Sequence, residues 1–127
     1  MPSLKALAVD DYAENLTLAT TRFEHLGYEV VTCRSVELAI VALRDQGPFD
    51  IAAIDYRMPG LDGDALIRTM RATPAWADMP VLIISAYAEA AEVEGADAFL
   101  LMPYTRQQFE DAVAETLTKR GARRLQP

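Results

Sequence analysis

Asp10 and Asp11 close the first of five short apolar runs in this sequence, Asp55 closes the third and Ser85 the fourth. Carboxylates and a hydroxyl at strand ends are groups that can bind a hard cation through oxygen or share a proton. Bringing three carboxylates together costs about 1 kcal/mol per pair in water and up to ~4 kcal/mol at an effective dielectric of 20. Three things relieve that repulsion: a raised pKa, a divalent cation such as Mg²⁺, or a neighbouring base. The one base adjoining these strand ends on the correct side is Arg57. The fifth run ends instead in Met102, a thioether with no charge and little capacity to hydrogen-bond.

Each residue also has a plainer use. Asp11 and Glu14 have the spacing of a helix capping box, which would occupy one aspartate structurally. Asp55 has no helix directly behind it to cap, since "YRMPGLDG" follows. Ser85 alone would be an ordinary loop hydroxyl, but it stands at a strand end and precedes the small Ala86. Met102 read alone is a packing residue before a turn.

The elements that must position these groups are legible. The runs "LKALAV", "EVVTC", "FDIAAID", "PVLIIS" and "AFLL" are nearly continuous rather than alternating, the pattern of strands covered on both faces. Helical spacing separates them. Leu16, Ala19, Phe23 and Leu26 form one stripe, stopped at Gly27. Ser35 is placed to cap a second helix over Val36, Ala39, Ile40 and Leu43, ending at Gly47-Pro48. A third carries Leu66, Ile67 and Met70 and stops before Pro74, and between Ser85 and Asp97 there is room for about two turns. Thr105 and Gln108 form a capping box for a last helix burying Phe109, Ala112, Val113 and Leu117. Five alternations of strand and helix predict a doubly wound five-stranded parallel sheet, one domain over residues 1–120 with a tail at 121–127. In such sheets, sites form beyond the carboxyl ends of the strands, where Asp10, Asp11, Asp55 and Ser85 would meet.

Composition narrows the classes. The chain has 127 residues, enough to bury a core without staples. Its net charge of −7 argues against direct binding to nucleic acid or an anionic membrane surface. The single Cys33 is expected as a small buried strand residue, consistent with a reducing cytoplasm. The opening "MPSLKALAVDDY" does not have the form of a signal peptide, and no apolar stretch approaches the ~20 residues of a membrane span. Lys119, Arg120, Arg123 and Arg124 suit the last turn of a helix and a frayed tail.

These positions together resemble the receiver domain of bacterial two-component response regulators, over essentially the whole chain. The most specific stretch is "DYRMPGLDGDAL", which is similar to the family's phosphoacceptor loop. The resemblance implies a flavodoxin-like strand order of 2-1-3-4-5 and phosphorylation of Asp55 by a histidine kinase or phosphotransfer protein. It further implies that Asp10, Asp11 and Asp55 hold Mg²⁺ with the backbone carbonyl of Arg57. Ser85 takes the place of the hydroxyl that hydrogen-bonds the phosphoryl group, Phe99 that of the switch aromatic, and a cis bond is expected at Met102–Pro103. The chain departs from the family pattern at Met102, which replaces a lysine, and in a shortened fourth helix. Arg57 is expected to reach over the site in partial compensation. These departures keep a second reading in view, a receiver-like module that binds a protein partner without phosphorylation. A phosphatase or nucleotide-binding enzyme fits less well, because no glycine-rich phosphate loop follows any strand.

Overall fold

The computed structural model describes residues 4–58, 60 and 62–124. The five apolar runs form β1 (Leu4–Val9), β2 (Tyr28–Cys33), β3 (Ile51–Ile54), β4 (Val81–Ser85) and β5 (Ala98–Leu101). All pair in parallel, in the order β2-β1-β3-β4-β5, the doubly wound arrangement expected. β3 and β4 are buried at every residue, which is why they run apolar without alternation.

Successive side chains of a strand point to opposite faces, so two cores form. On one face α2 (Val36–Gln46) and α3 (Gly63–Ala72) pack Leu43, Leu66 and Met70 over Leu7, Val9 and Ile83. On the other, α1 (Ala13–His25) and α4 (Arg106–Arg124) bring Phe23 and Phe109 edge to face at 4.9 Å over Ile51 and Leu82. The local signals work as their chemistry requires. Ser35 Oγ accepts the Leu38 N–H at 3.1 Å, and Gly27 turns the chain at φ +93°. Thr105 and Gln108 exchange side-chain bonds with each other's amides at 3.1 and 2.8 Å. Cys33 is buried, and Met102–Pro103 is cis, as is Gly47–Pro48.

The fourth crossover is short, as expected: it is a 3₁₀ turn, Ala88–Glu92, which buries only Ala90. Three features differ from expectation. Asp11 and Glu14 form no capping box: Tyr12 occupies the cap position of α1 without a side-chain bond, and its amide donates to Asp10 Oδ1 at 2.9 Å. Helix α4 continues through Arg124, past the boundary expected at residue 120, and residues 125–127 lie outside the described residues. Leu117, expected in the core, is 37% exposed, whereas Thr116 and Arg120 are buried.

Arg120 is inward because α4 passes over Asp97, whose side chain has no solvent exposure. Asp97 accepts from Arg120 at 2.9 and 3.0 Å, from Arg71 Nη2 at 3.2 Å and from the Val81 amide at 2.8 Å. Arg71 also donates to the carbonyls of Gly95, Ala77 and Met79. One carboxylate thus ties α3, β4, β5 and α4 together at the amino edge of the sheet. Trp76 lies at that same edge, in the segment before β4, half-buried against the α2–α3 core.

Candidate functional site

The register brings the strand ends level. Val9 pairs with Ile54 and Ile54 with Ile83, and the ladder continues one step, with the Asp55 amide donating to Val9 O at 2.8 Å and the Asp10 amide to Cys33 O at 3.1 Å. Backbone bonds therefore fix both aspartates before any side chain acts. One oxygen from each of Asp10, Asp11 and Asp55 lies within 4.8 Å of the others, so the three carboxylates converge. Asp10 and Asp55 are buried and Asp11 is half-buried.

Burial pushes the Asp55 carboxyl up to about 7; the charges of Asp10 and Asp11 add to this, and the amides of Tyr56 and Arg57 oppose it. Burial raises Asp10 as well, offset by the Tyr12 amide and the Asn15 side chain. Such a donor set, all oxygen, partly buried and crowded in negative charge, fits a hard divalent cation.

The proton linkage has a measurable sign. Unfolded, Asp55 titrates near 3.8, and folded near 7, so across that interval the folded chain holds a proton that the unfolded chain has shed. Stability without divalent cations is therefore expected to fall as pH rises from about 4 through about 7. The slope of that fall is at most about 1.4 kcal/mol for each pH step of one, the value of one proton held by the folded chain alone. Urea denaturation at pH 5 and pH 8 checks this; in Asp55→Asn the decline should shrink markedly, and an unchanged decline would place its origin elsewhere.

Asp55 faces an open cleft of about 470 Å³ lined also by Asp11, Arg57, Ala86, Tyr87 and Met102. A smaller cavity on its α1 side is lined by Asp10, Asn15, Met102 and Tyr104. Met102 thus stands beside Asp55 and brings no charge. Ser85 is fully buried, its Oγ accepting the Tyr87 amide at 3.0 Å, and its carbonyl accepts the Met102 amide at 2.8 Å. Phe99 is half-buried in the α2–α3 core and does not line the cleft.

Arg57 does not reach over the carboxylates as expected. Its guanidinium lies 4.7 Å above the Tyr87 ring and 3.5 Å from Glu89, clasping the loop after β3 to the 3₁₀ turn. The close approach of Gly63 to Asp55 explains the glycine of "DG": a Cβ there would lie 2.1 Å from the Asp55 carbonyl oxygen. Pro59 of the same loop lies outside the described residues.

Sequence reasoning passed over Asn15. Helical side chains lean toward the helix amino end, so a polar residue in the first turn of α1 comes back over the strand ends. Its place four residues after Asp11 was the available signal.

Residues 6–114 match the family model described as "Response regulator receiver domain". A probable transcriptional regulator, ycf27, of Porphyra purpurea is 29% identical over 120 residues, covering 91% of this chain and 48% of that protein. The sensor protein GacS of Pseudomonas syringae pv. syringae is 32% identical over 117 residues, 86% of this chain and 13% of GacS. The chain thus spans about half of the first relative and a small part of the second. The fold is shared with the response regulator protein TrrA of Thermotoga maritima, solved in complex with Mg²⁺ and BeF, at a TM-score of 0.80, 22% identity and coverage of 90% and 99% of the two chains. The match over most of its length, together with the strand order and the three converging aspartates, shows that this chain belongs to the response regulator receiver domain family.

Proposed function

We propose that the chain is a phosphoacceptor of two-component signalling, modified on Asp55 by a histidine kinase or phosphotransfer protein in the cytoplasm. The observation that carries this reading is the convergence of Asp10, Asp11 and Asp55 within 4.8 Å beside an open cleft. Asp10, Asp11 and Asp55, with the backbone carbonyl of Arg57, would hold Mg²⁺, which supplies charge neutralisation for the carboxylate and the incoming phosphoryl group. TrrA, of the same fold, was solved with Mg²⁺ and BeF, which supports this assignment.

The residues divide the work. An Asp55 carboxylate oxygen attacks phosphorus in line, an acyl phosphate O–P bond forms, and the bond to the donor breaks with its electron pair leaving on the donor, which takes up a proton. Ala86, with only a methyl group, leaves the cleft open for the transferred oxygens. Ser85 would exchange its bond to the Tyr87 amide for one to a phosphoryl oxygen, drawing the loop after β4 inward. That loop carries the Arg57–Glu89 clasp, so its movement would be felt at the 3₁₀ turn. Phe99, paired in register with Ile83 of β4, would follow as the switch aromatic. The chain consumes its own Asp55 carboxylate as the acceptor in such a step and is not a turnover enzyme in the usual sense.

Incubation with Mg²⁺ and acetyl phosphate tests this. A mass gain of one phosphoryl group, absent in Asp55→Asn and absent when Mg²⁺ is chelated, is the expected result. No Asp55-dependent gain would favour the second reading, a module that binds protein partners without phosphorylation. Met102 beside Asp55 is the observation on that side.

A further inference from the structure

The face of the sheet beneath α2 and α3 is covered unevenly. Helices of 11 and 10 residues span ~16 and ~15 Å there, but the third crossover on that face is the five-residue 3₁₀ turn, ~10 Å long. Open space flanks that turn on both sides. A groove of about 780 Å³ lies toward α3, and a smaller one of about 290 Å³ toward α4.

The larger groove has an apolar lining, Tyr56 and Val93, which also pack against the α2–α3 core. Its rim carries Asp64, Glu89, Glu92 and Glu94. The bases beside them are already engaged. Arg68 pairs with Asp64 at 3.0 Å, Arg57 with Glu89 at 3.5 Å, and Arg71 is turned inward onto Asp97 at 3.2 Å. Glu92 and Glu94 are both exposed at the groove, and neither pairs with a described cation. Among the described residues the carboxylates that converge tightly enough for one metal ion are those of Asp10, Asp11 and Asp55, not these. Negative charge spread along a groove suits a row of separate cations rather than one ion.

We infer that this groove is a docking site for a basic amphipathic helix of a partner protein, which would fill the layer that the 3₁₀ turn leaves thin. The partner's apolar side chains at i, i+3, i+4 and i+7 would face Tyr56 and Val93, and its Lys and Arg would meet Glu92 and Glu94. The site shares no lining residue with the phosphoacceptor cleft.

The test uses the full chain, ¹⁵N-labelled, and a synthetic peptide carrying Leu at i, i+3, i+4 and i+7 with Lys on the other faces. Amide shifts are expected at Tyr56, along the α3 side facing the groove and over residues 89–95, with Glu92→Lys/Glu94→Lys weakening binding roughly tenfold. Those two side chains are exposed, so unchanged strand amides will show that the variant is folded. A peptide of the same composition with Leu scattered should not reproduce the pattern. Shifts centred elsewhere, or affinity unchanged in the charge-reversed variant, would overturn the inference. Concentration-dependent broadening of the groove amides in the chain alone would also overturn it, by making a second copy the occupant.

Discussion

Asp97→Ala is expected to cost the fold roughly 3–5 kcal/mol, the largest single-residue effect outside the apolar cores, because it strands two guanidinium groups in the interior. The Asp97 side chain is wholly buried and receives Arg120, Arg71 and the Val81 amide, all at 3.2 Å or less. Removing the carboxylate leaves Arg120, itself only 7% exposed, with its charge uncompensated. Arg71 suffers less, since three backbone carbonyls still accept from it. Arg120→Met is therefore expected to be the milder change: it removes one cation, keeps much of the volume and leaves Asp97 with Arg71. Urea denaturation of the two variants checks the ordering. A cost below about 1 kcal/mol for Asp97→Ala would mean that water reaches the pair and that the network is not what fastens α4.

Met102→Lys should produce the largest functional gain. An ammonium at the end of β5 would stand beside Asp55 and could donate to a phosphoryl oxygen, a charge-assisted contact worth ~1.5–3 kcal/mol. Beryllofluoride with Mg²⁺ mimics the phosphoryl group, so its apparent affinity is expected to rise by about 10- to 150-fold. In the unmodified chain the same cation should pull Asp55 down from its raised value near 7 and flatten the pH dependence of stability, because an opposite charge favours the carboxylate. A lysine variant that folds but binds beryllofluoride as the parent does would show that Met102 already occupies a place where charge adds nothing.

The strands and the site's carboxylates were legible because both rest on local signals. A continuous apolar run declares a doubly covered strand, and the residue closing it must emerge at the edge of the sheet, so Asp10, Asp55 and Ser85 could be placed without knowing a single contact. The capping chemistry at Ser35 and Thr105–Gln108 was equally local. Arg120 was not legible: a cation near a helix end has a sufficient explanation in the helix dipole, and nothing nearby in sequence announces a buried acid 23 positions earlier. Leu117 was misplaced for a related reason. Periodicity marks a stripe, but here the inward stripe continues through Thr116 and Arg120 once Asp97 draws the helix end toward it. Asp11 and Glu14 had the spacing of a capping box, yet Asp10 had already taken the Tyr12 amide. Arg57 stood near enough to the carboxylates in sequence to reach them, but its guanidinium is engaged by the ring of Tyr87 and the charge of Glu89 instead.

The aromatic side chains are divided between the two ends of the sheet. The lone indole, Trp76, sits before β4 at the amino edge, while four of the five tyrosines, Tyr12, Tyr56, Tyr87 and Tyr104, stand around the carboxylates or immediately after Asp55. Spectroscopic signals from this molecule are therefore partitioned by geography. Indole emission reports on the α2–α3 core and its melting, and the NMR resonances of fluorine placed on Tyr12, Tyr87 and Tyr104 report on the cavities beside Asp55, one channel for unfolding and one for the signalling event.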